Sequence, residues 1–182
     1  MKKVICLLLC LVLVLGLAAC RNTNSEVPDT EAPDSEITTS ETPASIMERC
    51  GLDVDVVPSG AEDSTYRTIE LDTDAGPLLT AEAAFTLDGI QYHYRLAPDI
   101  GVVTDAVYDL SQLDIPDAVT ETAMVGWCDA TLVYQPDGSG KILWYDIAPG
   151  LIYSLDMDQD ASAEALLSMA ELLYTPAQGE VG

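Results

Sequence analysis

Hydrophobic and polar positions divide this chain into three stretches. After Lys2 and Lys3, the residues from Val4 to Leu15 are apolar without interruption. Residues 21 to 45 then carry only two large aliphatic side chains, Val27 and Ile37, and no aromatic ones. From Ile46 to about Tyr174 aliphatics are dense, and nearly all the tyrosines and both tryptophans appear. About 130 residues with that content form one ordinary domain, large enough for a proper core.

Within the domain the strongest local pattern is AEAAFTLDGIQYHYRLA, residues 81–97. Asp88-Gly89 is a two-residue turn pair of the primed type that closes hairpins. Pairing Leu87 with Ile90 sets Phe85 opposite Tyr92 and Ala83 opposite Tyr94, all on one apolar face. The other face then pairs Thr86 with Gln91, Ala84 with His93 and Glu82 with Arg95. A slip of one residue inverts both faces, so pattern and turn agree on this register.

Further strands are expected at Asp53–Val57, Thr65–Leu71, Val119–Val125, Cys128–Tyr134, Lys141–Ile147 and Leu151–Met157. Pro98, Gly101 and Pro116 mark loops, and Pro149-Gly150 suits the centre of a type II turn. A short helix is expected at Ala44–Cys50. The chain closes on a helix over 161–174, in which Ala165/Leu166, Met169 and Leu172/Leu173 recur at helical spacing. Consecutive, tightly connected strands imply an antiparallel sheet, and a terminal helix on one face makes the fold α+β.

The apolar N-terminal run is shorter than the roughly 20 residues of a membrane-spanning helix. A basic start, an apolar middle and small residues at the exit are the pattern of a cleaved export signal. Its end, Leu17-Ala18-Ala19-Cys20, resembles the lipobox of bacterial lipoproteins. The resemblance implies cleavage between Ala19 and Cys20, with residues 1–19 removed, and a diacylglyceryl group on the Cys20 sulfur. Two acyl chains make a durable anchor where one is marginal, at ~0.8 kcal/mol per buried CH₂. The alternatives are an ordinary secretory signal and an uncleaved N-terminal helix.

Charge sharpens that placement. The chain carries 31 acidic residues against seven Lys and Arg, a formal charge of −24. Cleavage leaves Arg21, Arg49, Arg67, Arg95 and Lys141 as the only bases. Such a chain is repelled by phosphate backbones, which sets nucleic acid aside as a partner. Anionic headgroups repel it too, so membrane association falls to the lipid. The acidic, Ser/Thr/Pro-rich segment 20–45 cannot offset its ordering entropy and is expected to be a disordered tether. Fully stretched it reaches about 80–90 Å. The single domain is then 46–176, with a frayed tail at 177–182.

A second likeness lies near the C-terminus. Lys141-Ile142-Leu143-Trp144-Tyr145-Asp146, then Pro149-Gly150, Tyr153-Ser154-Leu155 and a helix from Ala161, resembles the C-terminal strand–turn–strand–helix of an uncharacterised extracytoplasmic family. That family occurs in Gram-positive lipoproteins and membrane-anchored regulators. The likeness covers about a third of the mature chain and carries no catalytic residue.

Candidate chemistry is sparse. His93 is the only histidine, which removes multi-histidine metal sites, and no serine stands in a nucleophile-elbow context. It reads as a surface strand residue. Asp156, Asp158 and Asp160 alternate as the ligands of a calcium loop do, yet Ala161 and Leu167 stand where such a loop needs glycine and glutamate. The competing reading makes them the acidic lead-in to the last helix, with Asp160 as its cap. Cys50 and Cys128 pair as a disulfide outside the cytoplasm, or remain separate thiols. A glycosidase-type carboxylate pair stays open among 31 acids, and Trp144, mid-strand, reads as core.

The sequence therefore leads to a lipid-anchored extracytoplasmic module, non-catalytic, that binds, senses or assists at the cell envelope. Its partner is the membrane through the lipid, and beyond that a protein, peptide or small ligand. No cofactor is expected apart from the covalent lipid, with calcium as the weaker option. The rival classes are an envelope hydrolase with a carboxylate or calcium-assisted site and a purely structural envelope component.

Overall fold

A computed structural model describes residues 40–104 and 106–175. The export signal, Cys20, the tether up to residue 39 and the tail 177–182 lie outside the described residues. In chain order the elements are α1 (Pro43–Cys50), β1 (Glu62–Thr73), β2 (Gly76–Leu87), β3 (Ile90–Pro98), β4 (Val119–Val125), β5 (Cys128–Tyr134), β6 (Gly140–Asp146), β7 (Leu151–Met157) and α2 (Ala163–Leu173). The seven strands form one sheet in the order β1-β2-β3-β7-β6-β5-β4, with every neighbouring pair antiparallel. The fold is α+β, as the pattern of elements implies. Two meanders meet where β7 returns beside β3.

The β2–β3 hairpin has the expected register throughout, from Leu87↔Ile90 to Glu82↔Arg95. Asp88 and Gly89 both take positive φ, 52° and 82°, as a primed turn requires. The face carrying Phe85, Tyr92 and Tyr94 continues across the sheet through Leu155, Trp144, Ile142 and Leu132. Both helices cover that face, which is why they are amphipathic: α1 inserts Ile46, and α2 inserts Leu166, Met169, Ala170 and Leu173. Trp144 stacks on its cross-strand partner Tyr153, ring centroids 5.0 Å apart and planes 2° from parallel.

Several details depart from expectation. Residues 53–57 form no strand. Leu52 and Val54 drive into the core over the helix-covered face, where the segment has no neighbouring strand to pair with. Asp160 does not cap α2: it sits at φ 57°, and Ser162, in extended conformation, accepts the hydrogen bond of Ala165 N at 3.2 Å. Leu172 points to solvent, because the buried stripe runs through Leu173 and Ala170. Order also begins earlier than the composition suggests. Thr42 and Ser45 form a capping box, and Glu41 bonds to the free edge of β1 through its own N–H to Tyr66 O and its carboxylate from Thr68 N.

The second face of the sheet is the larger surprise. Alternation marks it as polar, yet Glu82 is 1% and Arg95 8% exposed. The long connection from β3 to β4 lies over it, with Leu110 buried on Leu78, Ala97 and Ile152. Lys141 holds the connection down, donating to Asp109 Oδ2 at 2.6 Å and to Leu113 O.

Candidate functional site

Two places gather chemistry-bearing side chains. The first is a row of charges along the second face, one from each of four neighbouring strands. Arg67 (β1) donates to Glu82 Oε1 (β2) at 2.5 Å. Arg95 (β3) approaches Glu82 Oε2 at 2.6 Å as an ion contact and donates to Asp156 (β7). His93 Nδ1 stands 3.5 Å from Glu82 Oε2, so this histidine touches the row while its side chain stays 27% exposed. Burial pushes the Glu82 carboxyl upward, but the nearby His93, the Arg67 hydrogen bond and the Arg95 charge overcome it, bringing its pKa down to about 2. Asp156 is moved the other way, because burial outweighs its Arg95 and His93 partners. The row closes on itself: its charges are spent on one another, a structural arrangement.

The second place is a break in the sheet. Between β5 and β6 the ladder runs from Tyr134↔Gly140 only as far as Ala130↔Trp144. On either side pairing goes further, β4–β5 to Val125↔Cys128 and β6–β7 to Asp146↔Leu151. Cys128 and Asp129 therefore part from Tyr145 and Asp146, opening a notch of about 450 Å³ at this end of the sheet.

The notch is built of rings and carboxylates. Trp127, in the β4–β5 turn, is 88% exposed at its mouth, and Ile147 in the β6–β7 turn is 80% exposed. Gly126 makes that turn possible at φ 58°, where an added Cβ would meet the Tyr174 ring at 3.0 Å. Tyr174, just past α2, forms the floor. It packs edge-on against Trp144 and Tyr153, at interplanar angles of 80° and 78°. Its hydroxyl donates to Asp146 Oδ2 at 2.6 Å and lies 3.5 Å from Cys128 Sγ.

This surrounding field is negative. Burial and the bond to Asp146 drive the Tyr174 hydroxyl far above its ordinary range, so it stays a donor. Burial first, then the Asp146 charge, pushes Tyr153 up to about 12. Burial, with the charges of Asp146 and Asp129, also raises the Cys128 thiol despite its contact with Tyr174. A thiol so placed is protonated and a poor nucleophile. A groove of about 610 Å³ between the long connection and β4–β5 adjoins the notch at Val107 and Asp129.

The residues singled out from sequence do not converge. Asp156 belongs to the charge row, Asp158 accepts from Gln91 N at 3.0 Å, and Asp160 takes the positive-φ position before α2. Among the described residues no three His, Cys, Asp or Glu side chains gather as a metal cluster. Cys50 and Cys128 are both free thiols here, Cys50 donating to Ile46 O within α1 and Cys128 lining the notch. The notch itself was not anticipated. Its one legible signal is Gly126-Trp127, a tryptophan in a two-residue turn, where no core demands it.

The domain defined by this fold and notch is a single-sheet α+β unit with its helices on one face. No family model, curated protein or solved structure matches the chain.

Proposed function

We propose that this chain is a lipid-anchored, extracytoplasmic binding module without catalytic activity, and that the notch between β5 and β6 takes its ligand. The observation that carries the reading is the interrupted ladder with Trp127 at its mouth. Trp127 and Ile147, both exposed at the mouth beside the point where the ladder stops, form an apolar rim that invites a partner. The floor is rigid, since Tyr174 is locked by two rings and a carboxylate. Rigid aromatic walls with a few fixed polar groups describe a recognition site. The titratable groups nearest it argue for binding over turnover, because the thiol is held protonated and the tyrosine is held as a donor. The anchoring half rests on Leu17-Ala18-Ala19-Cys20 and on the five bases against 31 acids left after cleavage, which give the membrane no electrostatic hold.

Fractionation of cells expressing the full chain and its Cys20→Ser variant tests the anchor. The native chain stays with the membranes and carries lipid on the Cys20 sulfur by mass spectrometry, whereas the variant is released or retained as unprocessed precursor. A native chain with a bare thiol, or a processed variant still bound to membranes, refutes the anchor.

A further inference from the structure

The cations of this domain are all spent before they reach the notch. Among the described residues Lys and Arg occur at four positions, and each already faces a carboxylate elsewhere: Arg49 with Glu41, Arg67 with Glu82, Arg95 with Glu82 and Asp156, Lys141 with Asp109. None lines the notch, whose walls hold Asp129 and Asp146 together with the rings of Trp127, Tyr145 and Tyr174. Asp146 is buried, bonded at one oxygen by Tyr174 and at the other by Ala148 N at 3.2 Å. Asp129 is exposed on the opposite wall. Its charge and that of Asp146 are both felt at Cys128.

Rings and carboxylates with no base among them suit one ligand charge. An organic ammonium is attracted to the face of an indole or phenol ring and to carboxylates at once, while its carbon substituents cover the apolar wall. A small inorganic cation gains little from the rings, and an anion is repelled by both aspartates and by the net charge of the chain. Resting on the binding reading above, we propose that the notch takes an alkylammonium group, seated against Trp127 and beside Asp129, with the buried Asp146 adding only its charge. The amine belongs either to a small molecule or to a lysine side chain, since both present the same head.

The test uses the full-length protein in nonionic detergent, with amide and indole N–H signals followed by NMR. The titrants are n-butylammonium, tetramethylammonium, N-acetyl-lysine amide, 1-butanol, butyrate and potassium chloride. The ammonium probes are expected to move the Trp127 indole and the amides of 128–129 and 145–146 with saturation in the millimolar range, roughly. 1-Butanol should bind at least ~5-fold more weakly, butyrate and potassium should leave these signals unmoved, and Trp127→Ala should weaken the ammonium probes by ~5-fold or more. Asp129→Asn, at an exposed site, should weaken them while the melting temperature is kept. Saturation by butylammonium but not by N-acetyl-lysine amide assigns the site to free amines, and the reverse to lysyl ligands. Equal binding of 1-butanol and butylammonium, or equal shifts with potassium, overturns the ammonium inference and leaves a notch that binds by other chemistry. If no titrant moves the notch signals, the binding site itself is refuted.

Discussion

Replacing Glu82 by Gln isolates the electrostatics of the buried row. The carboxyl sits at 1% exposure with its pKa lowered from 4.5 to about 2. A depression of that size is worth ~3 kcal/mol of folding free energy at neutral pH. Part of it returns in the variant, because the Glu82 charge is one of the influences raising Asp156, and the Arg95–Asp156 pair survives the change. A net loss of about 2 kcal/mol is expected at pH 7, a shift of roughly 1 M in the urea midpoint. The folded-state pKa lies below the unfolded one, so this stability is complete above about pH 5 and fades as pH falls through 4.5 toward 2. Asp156 runs oppositely: its raised pKa makes its charge a cost at neutral pH, relieved on acidification. Urea unfolding followed by the fluorescence of buried Trp144 should therefore show native and variant chains diverging at pH 7 and converging to within ~1 kcal/mol near pH 2. A gap that stays constant across this range, or none at pH 7, refutes the assignment of that stability to the ionised carboxylate.

Two other substitutions or treatments probe packing and the notch. At Gly140 an added Cβ would lie 2.6 Å from Ala161 Cβ and 2.8 Å from Tyr134 Cβ. Gly140→Ala should accordingly cost about 1–3 kcal/mol by overpacking, read from the denaturant midpoint, and an unchanged midpoint would contradict the contact. The Cys128 thiol, held protonated by burial and by Asp146 and Asp129, should react with iodoacetamide at pH 7.5 far more slowly than in urea-unfolded chain, scored by peptide mass spectrometry. Equal rates in the two states would show the thiol to be open.

The strands were legible where a single principle governed them. Asp88-Gly89 fixed the turn and alternation fixed the faces, so every pair from Leu87↔Ile90 to Glu82↔Arg95 follows from sequence. Residues 53–57 alternate equally well, but a strand needs a neighbour, and nothing local says that Leu52 and Val54 will be drawn over a helix-covered face. Alternation likewise distinguishes a polar face from an apolar one without distinguishing solvent from a second layer. The row Arg67–Glu82–Arg95–Asp156 draws on three consecutive strands and on β7, 61 residues beyond Arg95, so its burial depends on a topology that no window of residues contains. The notch is invisible for a sharper reason. It arises from pairs that are absent, Cys128 with Asp146 and Asp129 with Tyr145, and both segments read as ordinary strand.

Glu41, stitched to Tyr66 and Thr68, makes β1 the point where the chain joins the domain. The notch lies four to five strands away across the sheet, about 20 Å at the usual strand spacing. Any pull arriving through residue 40 therefore loads one margin of the sheet and would peel β1 from β2 first. Under the anchor proposed above, strain on the attachment would thus fall on the margin of the sheet opposite the proposed notch.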